Sequence, residues 1–307
     1  MKEINNVLIC GLGGVGTLCA VQISKRKDIN LKIVVDEHRY KKYTKEPTFF
    51  NDVQYDFDYV LPDNQDFKAD LIIIATKSDG FDAAIKEIKN FVKDDTIFIS
   101  LLNGISSEEK LAFLYGWDNT LISFYIGSSF IREDRHITMQ GNYKIVIGTK
   151  SKLPRALNYL AEFFTKTNIN FEISNNILDD YWKKFMINVG INQLCAVTGL
   201  SLKEIREDKE LINTLKGLMK EVDCIAKEQG VYHSNKIYKS AENFLLNELE
   251  DAHPSMLQDV EAGRKTEVDM FAGTVLSMGK ECGVETPLNQ KIFDEIKEIE
   301  SNKKTTD

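Results

Sequence analysis

Apolar and polar positions follow two different rhythms along this 307-residue chain, and the rhythm changes near residue 174. In the first part, short segments rich in apolar residues recur at residues 7–10, 31–35, 70–76, 96–102, 121–126 and 169–173, the first of them unbroken. Runs of that length suit strands buried on both faces, as in parallel sheets covered by helices. Between them lie helical patterns at 15–23, 81–92, 106–115 and 153–166, the last with its stripe at Leu157, Leu160, Ala161 and Phe164. Strands alternating with helices predict a doubly wound α/β domain over residues 1–174. Weaker alternation at 52–60 predicts a small strand, and the runs 137–140 and 143–148, joined by Gly141-Asn142, predict a β-hairpin. From Asn175 strand patterns vanish and helical periods take over at 177–199, 211–230, 240–249 and 255–282. Pro254 just before the last of these and Gly283 just after it are a proper start and stop for one long helix. The pattern therefore predicts an all-α domain over residues 175–307, with a frayed tail after Glu300.

The first strand flows into Gly11-Leu12-Gly13-Gly14-Val15-Gly16 and then a helix. In a dinucleotide-binding βαβ unit the first glycine of such a motif allows the tight turn, the second lets the backbone approach the pyrophosphate, and the third lets helix and strand pack closely. The helix N-terminus then turns free N–H groups toward the phosphates. The second strand ends in Asp36, at the spacing of a ribose-binding acid, and His38-Arg39-Tyr40-Lys41-Lys42 follows it. A carboxylate favours NAD, because it accepts from the 2′-hydroxyl and repels a phosphate. Arg39 with Lys41 or Lys42 favours NADP. The basic cluster outweighs the single acid, so NADPH is the expected cofactor, and Asp36 keeps NAD open. Lys77, just past the strand at 70–76, and Asn103, just past the strand at 96–102, belong to the same sheet edge, where such sheets bind ligands.

In the second part, Lys184, Asn188 and Asn192 recur every four residues along an otherwise apolar helix. Four residues turn about 400°, so the three share one face and drift about 40° per step. Polar groups so placed must be solvated or find partners, and asparagine inside a helix costs propensity relative to alanine, which points to ligand binding. Lys183 is turned about 100° away. Ser255 stands at a helix N-terminus, suited to a carboxylate. Glu267 falls in the middle of the pattern at 255–282.

Composition narrows the reading without changing it. The chain carries 39 basic and 47 acidic residues and no long basic run, which argues against nucleic acid or an anionic membrane as partner. The five cysteines are widely spaced within apolar patterns, no Cys-x-x-Cys pair occurs, and the four histidines never fall at ligand spacing. No metal is expected, and the cysteines read as reduced residues of a cytoplasmic protein. No signal peptide or membrane span is expected either.

At this point the chain resembles the ketopantoate reductase (2-dehydropantoate 2-reductase) family over nearly its whole length. The resemblance is carried by the glycine motif, Lys77, Asn103-Gly104, the block Trp182, Lys184, Asn188, Asn192, and the blocks Ser255-Met-Leu-Gln-Asp259 and Lys265-Thr-Glu267-Val-Asp269. It implies a Rossmann-type domain followed by a helical one. The implied reaction is NADPH-dependent reduction of 2-dehydropantoate to (R)-pantoate in pantothenate biosynthesis. By resemblance Lys184 is the proton donor, and Asn188, Asn192 and Ser255 are substrate ligands. Asn103 and Glu267 contact substrate and cofactor, and Lys77 contacts the cofactor. The chain departs from the family's NADPH users in having Asp36 where an arginine often ends the second strand. The readings beside this one are a relative acting on another 2-keto or 3-hydroxy acid, and a non-catalytic nucleotide sensor that kept the glycine turn. A homodimer is compatible with all three.

Overall fold

The computed structural model describes residues 3–251 and 253–303, which divide into two compact units. The first, Met1–Asn103 with Ser107–Ile177, contains all the strands. In chain order it runs β1 (Asn6–Cys10), α1 (Gly14–Ser24), β2 (Asn30–Val34), α2 (Glu37–Tyr43), β3 (Thr48–Phe50), β4 (Val53–Tyr55), β5 (Tyr59–Val60), β6 (Leu71–Ile74) and α3 (Phe81–Ile88). It continues with β7 (Ile97–Ser100), α4 (Ser107–Tyr115), β8 (Thr120–Ile126), β9 (Ser129–Glu133), β10 (His136–Gln140), β11 (Lys144–Gly148), α5 (Arg155–Lys166) and β12 (Phe171–Ile173).

The main sheet has the order β12-β11-β8-β7-β6-β1-β2-β5. From β5 to β8 every neighbouring pair is parallel; β11 runs antiparallel to β8, and β12 parallel to β11. Alternation along the strands explains their apolar runs. Val7, Ile9, Leu71, Ile73, Ile97 and Ile99 share a core with Cys19, Ala20 and Ile23 of α1 and Leu160, Phe163 and Phe164 of α5. Their neighbours Leu8, Ile72 and Phe98 are equally buried on the other face, where Phe98 stacks on Tyr115 of α4 with ring centroids 4.3 Å apart. The chain leaves β1 outward through β2 and β5, then returns to β6 on the other side of β1. The strand order therefore reverses between β1 and β6, and ligands of such sheets bind at the carboxyl ends at that point.

Asp70 fixes the opposite end of the same strands. Its carboxylate accepts from the N–H groups of Asn5 and Asn6 at 3.0 and 2.8 Å and pairs with Lys93 at 2.5 Å. Burial opposes its ionisation, but Lys93 and the two N–H groups overcome this and hold its pKa below the ordinary carboxylate value.

The hairpin predicted across Gly141-Asn142 does not form. Strand β10 pairs antiparallel with β9 and parallel with β3 in a separate small sheet, β4-β3-β10-β9, whereas β11 joins the main sheet. Gly127 and Gly141, at φ +108° and +86°, mark the crossings from β8 to β9 and from β10 to β11, where the chain enters and leaves the small sheet for the second time. The strand predicted at 52–60 is two strands, β4 in the small sheet and β5 at the edge of the main one. Strands β3 and β9 escape the pattern because the first is three residues long and the second is mostly exposed.

The second unit, Gly104–Ser106 with Leu178–Asp307, is helical. It comprises α6 (Ile177–Thr198, whose first residue falls in the first unit), α7 (Leu202–Glu207), α8 (Lys209–Glu228), α9 (Ser234–Asn243), α10 (Ser255–Glu261), α11 (Ala272–Cys282) and α12 (Pro287–Lys303). Helix α9 starts earlier than the pattern at 240–249 and passes into a π-turn, Phe244–Glu248. The long helix predicted from 255 to 282 is broken: α10 stops at Glu261, Gly263 takes φ +66°, and an irregular segment leads to α11. A left-handed glycine cannot continue a right-handed helix, so the period survives on either side of the break without a continuous backbone. The tail expected to fray after Glu300 stays helical to Lys303, and residues 304–307 lie outside the described residues.

Candidate functional site

The glycine motif occupies the carboxyl end of β1, at the point of strand reversal. Gly11, at φ +101°, makes the turn, and a side chain there would sit 2.6 Å from the Ala75 backbone that follows β6. A Cβ on Gly16 would lie 1.9 Å from the Gly11 carbonyl oxygen, and one on Gly14 would lie 2.2 Å from the Phe130 ring. Packing inside the protein thus accounts for three of the four glycines. Gly13 is different: its backbone is extended at φ −77°, and a Cβ would meet only Ala75 O, at 3.9 Å. Its bare backbone is not required by the protein's own atoms, which fits a group that approaches from outside. Thr76 supplies a second sign of a ligand. Its Oγ1 is buried without a hydrogen-bond partner among the described residues, beside the glycine turn. The residues present therefore fit a dinucleotide. Sequence reasoning missed Thr76, which lies between an apolar strand and Lys77 and so reads as a strand end.

Lys77 is exposed and caps a short 3₁₀ turn after β6; Asn103, half-buried, follows β7. Because β7, β6, β1 and β2 are neighbours, Asn103, Lys77, the glycine turn and Asp36 lie along one sheet edge.

The basic cluster that begins at His38 lies on α2, and Asp36 is the N-cap of that helix. The Asp36 carboxylate accepts from the Arg39 N–H at 2.7 Å and pairs with the Arg39 guanidinium at 3.1 Å. Lys41 pairs with Glu37 at 2.7 Å, and Lys42 with Asp134 at 2.8 Å. Lys41 lowers the pKa of Glu37, and Lys42 that of Asp134. Another carboxylate, Glu87, accepts from Cys10 Sγ at the end of β1, at 3.5 Å.

In the helical unit, the row of Lys184, Asn188 and Asn192 lies along α6 as its spacing predicts. Lys184 and Asn188 are half-buried, and Asn192 is 8% exposed. Lys183 points elsewhere, its ammonium 5.6 Å from the centre of the Phe244 ring. Ser255 opens α10 and is exposed. Glu267 is not mid-helix: it lies in the irregular segment before α11, where its carbonyl accepts from the N–H groups of Met270 and Phe271. Gly104 leaves room for Met270 of that segment; a Cβ there would be 2.6 Å from Met270 Cγ.

Gln193, fully buried next to Asn192, was also invisible in the sequence. Its Oε1 accepts from the Ala272 N–H that starts α11 at 2.7 Å, and its Nε2 donates to Val189 O and Asn289 Oδ1 at 2.9 and 3.2 Å. Glu221 in turn accepts from the N–H groups of Leu288 and Asn289 at the start of α12. These hydrogen bonds tie α6, α8, α11 and α12 together through buried polar groups that have partners.

Comparison with known proteins identifies the family of the chain. Residues 7–152 match the model of the family described as ketopantoate reductase PanE/ApbA, and residues 176–300 that of its C-terminal domain. A 2-dehydropantoate 2-reductase of Aquifex aeolicus is 30% identical, over 75% of this chain and 76% of that one. Among solved structures, D-mandelate dehydrogenase with NADH and anilino(oxo)acetate superposes with a TM-score of 0.84 at 21% identity, covering 97% of this chain and 99% of the other. A dimeric ketopantoate reductase from Staphylococcus aureus superposes with a TM-score of 0.77 at 18% identity, with the same coverage. These two structural likenesses speak to the fold.

Proposed function

This chain belongs to the ketopantoate reductase family, and from that premise we propose that it reduces 2-dehydropantoate to (R)-pantoate. The observation that carries the reading is the row of Lys184, Asn188 and Asn192 on α6, together with Ser255 and Glu267 in the same unit. A nucleotide sensor needs none of these groups.

The reduced nicotinamide, when bound, supplies a hydride to the keto carbon. Negative charge then develops on the former carbonyl oxygen, and the Lys184 ammonium donates a proton to it from Nζ; solvent reprotonates the amine after release. A cationic acid within hydrogen-bond reach stabilises that charge in the transition state. Asn188 and Asn192 hold the substrate's polar groups by amide hydrogen bonds, and the Ser255 hydroxyl donates to its carboxylate. The Glu267 carboxylate accepts from a substrate hydroxyl or contacts the nicotinamide region. The bare Gly13 backbone, Thr76, Lys77 and Asn103 receive the dinucleotide along the sheet edge.

The ion pairs around α2 turn the cofactor expectation from NADPH toward NADH. Arg39, Lys41 and Lys42 each already have a carboxylate partner, and Glu87 adds another acid near the end of β1. A 2′-phosphate would have to displace Asp36 from Arg39 and meet its charge, whereas a 2′-hydroxyl donates to Asp36 directly. A higher kcat/KM with NADH supports this, and Asp36→Ala should shift the ratio toward NADPH by about tenfold, one charge-assisted contact. A wild type that prefers NADPH overturns the assignment and leaves the reduction intact.

Among the described residues, no helix is long and apolar enough to cross a membrane. We assign the reaction to the cytoplasm, consistent with the reduced cysteines. The deciding experiment is cofactor oxidation with a panel of 2-keto acids that includes 2-dehydropantoate and an aromatic 2-keto acid.

A further inference from the structure

The segment between α10 and α11 is irregular, yet it is tied down at three points, all within the helical unit. The Thr266 N–H and the Thr266 hydroxyl both donate to Glu300 Oε1, each at 2.7 Å. Lys297 of the same helix, α12, donates to Asp269 Oδ2 at 2.8 Å and lies 3.5 Å from Glu300 Oε2. At the far end of the segment, Gln193 receives the Ala272 N–H. Lys297 and Glu300 are three residues apart and so share a face of α12, one reading Asp269 and the other Thr266. Between these two fixed residues lies Glu267, flanked by Thr266 at 5% exposure and Val268 at 0%. A charged acceptor that takes two hydrogen bonds from one residue holds its backbone more firmly than packing alone, because letting go would leave a buried N–H and hydroxyl unpaired.

We infer that Glu300 is a positioning residue: by fixing Thr266 it sets the direction in which Glu267 presents its carboxylate. The inference rests on the proposed reduction and on the part Glu267 plays in it. A misplacement of about 1 Å at a reacting centre can cost about 10²-fold in rate, so a brace far from the chemistry can govern turnover. Glu300 touches neither substrate nor cofactor and acts only through the segment.

The test is a double-mutant cycle on the full chain. Glu300→Ala should lower kcat/KM for the keto acid by ten- to about a hundredfold, and Glu300→Gln, which keeps an acceptor oxygen, should recover most of it. In a Glu267→Gln background, Glu300→Ala should change kcat/KM by less than about twofold, because the group it positions is gone. The same factor in both backgrounds, an unchanged rate in Glu300→Ala, or full activity in Glu267→Gln would each overturn the inference. If Glu300→Ala does not fold, Thr266→Val replaces it in the cycle with the same expectations. Hydrogen exchange supplies a readout independent of turnover: amides of residues 264–271 should exchange faster in Glu300→Ala while those of α6 and α8 are unchanged. Unaltered exchange in 264–271 refutes the brace. A wild type that reduces no 2-keto acid yet shows this exchange pattern overturns the proposed reaction and the role of Glu300 in it, while the structural contact stands.

Discussion

Of the four glycines after β1, three are explained by the protein's own packing and one is not, and substituting two of them separates binding from folding. An alanine at 16 would place Cβ 1.9 Å from the Gly11 carbonyl oxygen, a backbone atom that cannot move without opening the turn. Overpacking against backbone costs about 1–3 kcal/mol or more, so Gly16→Ala should lower Tm by several degrees, and dinucleotide affinity falls with it because the turn itself is deformed. At 13 the backbone is already in a region that alanine adopts, and the only atom near a new Cβ is Ala75 O at 3.9 Å. Gly13→Ala should therefore leave unliganded stability within about 0.5 kcal/mol of wild type, or raise it slightly by reducing the entropy of the unfolded chain. The methyl group would nonetheless stand between the backbone and a pyrophosphate. Loss of one charge-assisted hydrogen bond, about 1.5–3 kcal/mol, corresponds to about 10- to 100-fold in Kd. Calorimetric titration with NADH gives the affinity, and thermal melts with and without nucleotide give the stability. Wild-type affinity in a stable Gly13→Ala protein would refute the claim that this backbone receives the pyrophosphate.

Three other perturbations probe different parts of the account. Lys184→Ala should lower kcat by about 10²- to 10⁴-fold with cofactor affinity nearly unchanged, whereas Lys183→Ala, whose ammonium sits over Phe244, should do little; the reverse order in steady-state kinetics removes Lys184 as the acid. Asp70→Asn should cost about 2–3 kcal/mol in denaturant melts, below the usual 3–5 for a broken buried pair because the Lys93 side chain is 33% exposed. The lowered pKa of Asp70 means that its contribution is fully present above the unfolded carboxylate value of about 4 and is lost as pH falls through the folded one. Wild-type stability should thus decline more steeply in acid than that of Asp70→Asn, and parallel acid limbs would contradict this.

The strongest signals in the sequence were those with the longest period or the least polar runs. The buried strands β1, β6, β7 and β8, the glycine turn and the polar row on α6 each follow from residues adjacent in sequence or one helical turn apart. What the pattern could not carry depended on residues far apart in the chain. Strands β10 and β11 look like a hairpin because Gly141-Asn142 suits one, but which sheet each joins is decided by β3 and β8, tens of residues away. The break at Gly263 was hidden because apolar spacing continues on both sides of it, so Glu267 reads as helical, while Glu300, which binds the neighbouring Thr266, is 34 residues beyond that threonine. The partners of the basic cluster after Asp36 were no easier to read: Lys41 pairs with Glu37 on the same helix, but Lys42 pairs with the distant Asp134.

The central claim is that this protein transfers hydride from a nicotinamide to a branched 2-keto acid. Steady-state oxidation of NADH and NADPH with 2-dehydropantoate, set beside the other 2-keto acids of the panel, tests it most directly. The account predicts saturable oxidation with the highest kcat/KM on 2-dehydropantoate. A protein that binds the nucleotide but oxidises it no faster with any keto acid present, or one that turns over only an unbranched or aromatic keto acid, would contradict it.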